Sequence, residues 1–276
     1  MPEPDRAPQA VSPEPNAAAP NASAVEASSR EVGRMFDRAA DRYDLLNGLL
    51  SWGRDRAWRR AMAAFVGPGD RVLDLCCGSA RSAEPVARRT GRTVVGADIS
   101  AAMLARGQRH AEASGVRFAP VRADAFQLPF ADGAFDAVTI AWGLRNLRPE
   151  PEALAEVQRV LRPGGILVVL ESPSPEPGLV GLAHRLYVRA AVPALGRLSS
   201  DPQAYAYLSR TVLSYGTRQE VTDRLERAGL RVRRAQSLFL GAAALWVGEK
   251  NEPDVSPAAV QDATAVQNRN AGTAAR

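Results

Sequence analysis

The chain is poor in the residues that several structural strategies require. It has two cysteines, Cys76 and Cys77, and they are neighbours. Adjacent cysteines rarely have the geometry to bond to each other, so nothing points to a disulfide framework or an oxidising compartment. No run of eighteen apolar residues occurs, which leaves no candidate for a membrane-spanning helix. The first residues lack the charged-then-apolar order of a secretory leader, and Glu3, Asp5, Glu14 and Glu26 sit where organelle-targeting peptides avoid acids. A cytoplasmic protein, with at most a peripheral contact to the inner face of the membrane, is therefore expected. Lys250 is the only lysine, so the net charge of +5 is carried by arginine. The densest basic stretches, 54–60 and 231–234, are interrupted by apolar residues, which argues against a nucleic-acid partner. Metal-ligand spacing is absent, and no metal is expected.

What remains is enough for a full core, with 46% hydrophobic residues. Residues 1–29 and 251–276 are rich in alanine, proline and polar residues, cannot offset the entropy of ordering, and are expected to be disordered tails. Between them, over 30–250, short apolar runs alternate with helical patterns, the signature of an α/β fold. The expectation is a Rossmann-like, seven-stranded, mostly parallel sheet with one antiparallel strand and helices on both faces. Five strands are expected at 71–75, 93–97, 116–121, 135–140 and 166–170, helices at 101–113, 151–161 and 217–228, and a closing pair of strands at 231–238 and 242–248. Arg162-Pro163-Gly164-Gly165 reads as a turn between the second of those helices and the fifth strand. Two regions fall outside the core. Residues 31–65 form an N-terminal helical region, and 173–215, which hold four of the five tyrosines, form a helical lid insertion.

The chemistry-bearing residues gather at predicted strand ends. Asp74-Leu75-Cys76-Cys77-Gly78-Ser79 follows the first strand and opens a helix, where backbone N–H groups receive cofactors. Asp98, at the tip of the second strand, either caps a helix or accepts hydrogen bonds from the two ribose hydroxyls of an adenosyl group. Asp124, before Ala125, is either a turn acid or a partner for the exocyclic amine of adenine. The chain lacks the Gly-x-Gly-x-x-Gly fingerprint of a pyrophosphate site. The absence of those close-approach glycines harms a phosphate-free adenosyl donor less than a dinucleotide. The fourth strand runs into Trp142-Gly143-Leu144-Arg145-Asn146, where Arg145 is either a surface ion-pair partner or a ligand group at the carboxyl edge of the sheet. His110 has no partner pattern. His184, in the lid, is a candidate proton acceptor.

Taken together, Gly143-Leu144-Arg145-Asn146, Asp74 to Ser79 and Asp98 resemble the quinone C-methyltransferase family, whose members methylate the ring of demethylmenaquinone or a ubiquinone precursor with S-adenosylmethionine. The resemblance runs from about 31 to 250 and is supported by Tyr43-Asp44-Leu45-Leu46-Asn47, by Asp124-Ala125 with Leu128-Pro129-Phe130, and by Tyr205-Ala206-Tyr207-Leu208. It implies S-adenosylmethionine as cofactor, held by Ser79, Asp98, Asp124, Ala125, Asp74 and Gly78. It implies Arg145, Asn146 and Tyr43 as the residues that handle the acceptor, a lipophilic quinol, most simply demethylmenaquinol. A fixed guanidinium there would stabilise a phenolate as it forms. Leu179, Leu182, Leu186, Val188, Val192 and Leu195 are helix-spaced candidates for a channel taking a polyprenyl tail. The expected partners are that quinol and a weak membrane contact, with a homodimer left open. Two departures stand out: Arg81 replaces the family's usual aspartate and Ala141 a frequent serine. They keep alive a C- or O-methyltransferase for another phenolic metabolite, or an inactive cofactor-binding subunit of a quinone-synthesis complex.

Overall fold

The strand β1 (Val72–Leu75) is buried along its whole length, as a strand must be when helices cover both faces of its sheet. In the computed structural model the described residues are 31–35, 37, 48, 50–197 and 202–252. β2 (Val94–Asp98), β3 (Phe118–Arg122), β4 (Phe135–Ala141), β5 (Leu161–Glu171), β6 (Leu230–Leu238) and β7 (Ala243–Lys250) complete a seven-stranded sheet. Its order is β3-β2-β1-β4-β5-β7-β6. β7 alone runs antiparallel, pairing with β5 and β6, so the expected single reversed strand is present. β6 and β7 follow each other through a short connection over 239–242, which suits an antiparallel pair.

The helices are α1 (Asp55–Ala63), α2 (Ala83–Thr90), α3 (Ala101–Ser114), α4 (Glu150–Val160), α5 (Leu179–Leu186), α6 (Val192–Gly196), α7 (Pro202–Ser214) and α8 (Arg218–Arg227). Two buried clusters lie on opposite faces of the sheet. One joins Leu73, Leu75 and Ile140 to Leu154 and Val157 of α4 and Leu225 of α8. The other joins Val72 and Leu170 to Met62 of α1, Val86 of α2 and Leu104 of α3. Local signals set the helix starts: the Ser100 hydroxyl accepts from the Met103 N–H at the head of α3, and Thr217 with Glu220 forms a reciprocal cap on α8.

One expected turn proves to be part of a strand. Phe135 pairs with Leu161 and Ala137 with Ile166, so five residues of β5 advance against two of β4. Arg162-Pro163-Gly164-Gly165 is therefore looped out inside β5, with Gly164 at φ 68°. The turn chemistry is real, but the strand resumes its ladder on either side of it. Neither tail lies among the described residues, apart from Asn251 and Glu252, which have no regular structure. Among the described residues, no helix is long and apolar enough to cross a membrane.

The ends of β1, β2, β4 and β5 lie along one edge. Chain order reverses between β1 and β4, the crevice where open α/β sheets bind ligands. Above it lies the region expected to form a lid: α5, a π-helical turn over Tyr187–Ala191, α6 and α7. The lid is tied down by side chains. The Tyr187 hydroxyl donates to the Leu50 carbonyl at 3.0 Å, Ser209 to Val188 at 2.8 Å and Ser174 to Val212 at 2.9 Å.

Candidate active site

Two adjoining cavities open at this edge, and Trp142 lines both. The smaller, of about 680 Å³ including its mouth, lies over the ends of β1 and β2. It brings together four of the residues expected to hold an adenosyl group: Gly78, Asp98, Asp124 and Ala125. Asn146 lines it as well, and so does Ala141. The larger, of about 1020 Å³, lies under the lid and is lined by Arg145, His184, Tyr187, Tyr205 and Tyr207 together with apolar side chains. Arg145 and Asn146, consecutive on a short 3₁₀ turn over Leu144–Asn146, thus face different chambers.

The floor of the smaller cavity is a strained loop. Cys76 (φ 55°) and Ala80 (φ 56°) lie in the left-handed region without being glycine, with Gly78 (φ 53°) between them. Such conformations cluster where a ligand must approach the backbone closely. Asp98 holds the loop: its Oδ2 accepts from the Gly78 N–H at 2.9 Å, and its Oδ1 from the Ser100 N–H at 2.9 Å. Burial pushes its carboxyl up from the ordinary range, while those backbone donors pull it down. The helix that follows is capped by Ser100, so of the two readings of Asp98 the structure places it as the cavity acid. Asp124 is a turn acid, its Oδ1 accepting from the Phe126 N–H at 3.2 Å, and it also borders the cavity. Burial keeps the Cys76 and Cys77 thiols protonated. Gly143 is required by close approach, since a Cβ there would stand 2.5 Å from Cys76 Cβ.

Two expected site residues are placed otherwise. Ser79 is buried but does not line the cavity. Asp74 is buried beneath the loop, with Oδ1 accepting from Thr139 Oγ1 at 2.8 Å and no cavity contact. The residue directly before an inward-facing leucine on a strand covered on both sides points into the opposite helical layer, which one-dimensional motif reading cannot register. Tyr43 lies outside the described residues. Arg81 is half-buried and is not among the residues lining either cavity.

Burial raises the Asp74 carboxyl to about 7. Between the unfolded value of 3.8 and about 7 the folded chain keeps a proton that the unfolded chain has released, so stability falls as pH rises through that window and levels off above it. Asp74→Asn should abolish this part of the slope, which over the whole window is on the order of 4 kcal/mol. Urea unfolding of both proteins at several pH values checks it; parallel slopes would show that Asp74 is ionised in the fold.

The guanidinium of Arg145 is held more firmly than the sequence foretells. Its Nη1 donates to Glu171 Oε1 at 2.5 Å and to the Trp142 carbonyl at 2.9 Å, and its backbone N–H donates to Glu171 Oε2 at 3.3 Å. Arg145 is 6% exposed and Glu171 0%. A buried pair of this kind is costly to desolvate and needs close geometry to persist. Its signal in the sequence is an acid ending the apolar run of β5. Trp142, at φ 63°, is fixed in turn: its Nε1 donates to Asp55 Oδ1 at 3.0 Å, Asp55 pairs with Arg59 at 2.9 Å, and Arg59 reaches Ser82 Oγ at 2.5 Å. Trp58 packs against it, with ring centroids 5.9 Å apart. Of the six apolar residues expected to line a channel, Val188 and Val192 line the larger cavity, whereas Leu179, Leu182 and Leu186 face outward. Among the described residues no group of His, Cys, Asp and Glu is placed to hold a metal ion.

The chain is similar in sequence to named enzymes and in fold to a solved one. A demethylmenaquinone methyltransferase from Mycobacterium marinum is 43% identical over 227 residues, covering 81% of this chain and 95% of that protein. Another of the same name from Thermus thermophilus is 45% identical over 220 residues, covering 78% and 100%. The fold is shared with a SAM-dependent methyltransferase from Aquifex aeolicus, at a TM-score of 0.55 and 18% identity over 75% of this chain and 97% of that one. The ubiE/COQ5 methyltransferase family matches residues 24–250, and the chain belongs to that family.

Proposed function

We propose that this chain transfers a methyl group from S-adenosylmethionine to the ring carbon of demethylmenaquinol, forming menaquinol, and that it works against the membrane surface where such a quinol resides. The observation that carries the reading is the pair of chambers meeting at Trp142, one edged by Asp98 and the other ending in a buried cation.

The smaller chamber fits the cofactor. The Oδ1 of Asn146 is buried there without a hydrogen-bond partner, a vacancy that a ligand donor would fill. Asp98 already accepts from backbone N–H groups, and the acceptor positions that remain on its carboxylate can receive a ribose hydroxyl. Asp124, on the same cavity, would accept from the exocyclic amine of adenine. When bound, the cofactor supplies an electrophilic methyl on a sulfonium sulfur. The chain's own residues do the rest. Arg145 stabilises the phenolate that makes the neighbouring ring carbon nucleophilic, and being always charged it cannot itself take the proton. His184 lines the same chamber, and burial lowers its pKa below the ordinary histidine value, so at neutral pH it is the free base suited to receive the hydroxyl proton. As the carbon gains the methyl the donor's sulfur–methyl bond would break, leaving a neutral thioether; the ring proton would be released to water, and His184 would return its proton to the phenolate oxygen. The apolar walls exclude water and would limit the orientations open to the donor and the ring.

The test is incubation with methyl-labelled cofactor and short-chain demethylmenaquinol. Label in the quinol is expected. Label only in other phenols would move the substrate elsewhere, and cofactor binding without transfer would make the chain a binding subunit.

A further inference from the structure

α5 is an apolar helix turned inside out. Of its eight residues, Leu-Val-Gly-Leu-Ala-His-Arg-Leu, only Gly181 is buried, while Leu179 is 86% exposed, Leu182 54% and Leu186 59%. These three lie at positions i, i+3 and i+7, one stripe of the helix. Val180 beside them is exposed as well. The patch continues past the end of α5: Tyr187 packs against Trp52, ring centroids 6.3 Å apart, and Trp52 is itself largely exposed. An apolar surface of this extent marks a place where something other than water belongs.

The charge around it selects the occupant. Residues 177–197 contain Arg185, Arg189 and Arg197 and no acidic residue. A second copy placed on this face by a two-fold axis would oppose arginine to arginine with no carboxylate to match. An anionic lipid surface offers both an apolar interior for the leucines and phosphates for the guanidiniums. The inner side of the same segment, through His184, Tyr187, Val188 and Val192, lines the larger cavity.

From these observations we infer that α5, with Trp52 beside it, is a membrane-docking surface that lies in the interface of an anionic bilayer and sets the mouth of the acceptor cavity against the lipid. The inference deepens the quinol reading, on which only its substrate arm rests.

The experiment uses the full chain with vesicles of phosphatidylcholine alone or with a minor fraction of phosphatidylglycerol. The protein should sediment with the anionic vesicles, and L182E/L186E should bind them at least about tenfold more weakly. R189Q should narrow the difference between the two lipid mixtures. In solution, L182E/L186E should methylate short-chain quinol at the unaltered rate, while its transfer to long-chain quinol embedded in vesicles should fall. Wild-type protein left in the supernatant, equal binding by L182E/L186E, or a solution dimer that L182E/L186E splits would each overturn the inference. The vesicle arm contains no substrate, so a failure of docking is read separately from a failure of methyl transfer.

Discussion

Arg145→Ala is expected to slow methyl transfer by at least about a hundredfold, the scale on which one stabiliser of a developing oxyanion is lost. Cofactor affinity measured by calorimetry should stay as it was, because the side chain borders the other chamber. The same substitution should also cost stability, about 3–5 kcal/mol, since it strands a buried carboxylate without its counter-charge. That carboxylate is Glu171, fully enclosed at the tip of β5. The two effects can be separated. Pairing Arg145→Met with Glu171→Gln removes both charges at nearly constant volume and should restore most of the thermal midpoint while leaving turnover slow. If the double variant regained the wild-type rate, the cation would be a structural partner of Glu171 and nothing more.

Asp98→Ala should have the second large effect, on binding of the donor. The carboxylate fastens Gly78 and Ser100 through two charge-assisted bonds and is the group proposed to receive a ribose hydroxyl. Hydrogen bonds to charged groups contribute about 1.5–3 kcal/mol each, so losing the ribose contact together with the bonds that fix the loop predicts a fall in affinity of at least about a hundredfold. With Cys76 and Ala80 in left-handed conformations, the loop needs a fixed partner to hold its shape. Asp98→Asn should fall in between, because an amide accepts on one atom only and presents its NH₂ to a backbone donor. Titration with S-adenosylmethionine measures both variants. Undiminished affinity in Asp98→Ala would remove this residue from the donor site.

Much of this could be read before any coordinates. Six of the seven strands begin and end within about two residues of their expected places, because strands covered on both faces must be continuous apolar runs and the helices between them carry caps; β5 starts five residues early, at Leu161. Asp98, Asp124 and Arg145 were also legible, since strand tips of this fold converge on one crevice. What escaped depends on partners distant in sequence. Glu171 lies 26 residues from Arg145, and no local pattern announces their pairing. The leucines of α5 have the spacing of a core-facing stripe, and periodicity says that they share a face without saying which way it points. Asp74 looked like a cofactor acid because it stands in the motif. Its strand alternation turns it instead toward Thr139.

Trp142 gives the two chambers a common partition, braced from behind by Asp55 and Trp58. A partition cannot be displaced for one tenant without altering the other's room. Where one occupant shifts the indole, thermodynamic reciprocity requires each ligand to change the other's affinity by the same factor. The rigidity of one indole thus sets how strongly the filling of either side is felt on the opposite one.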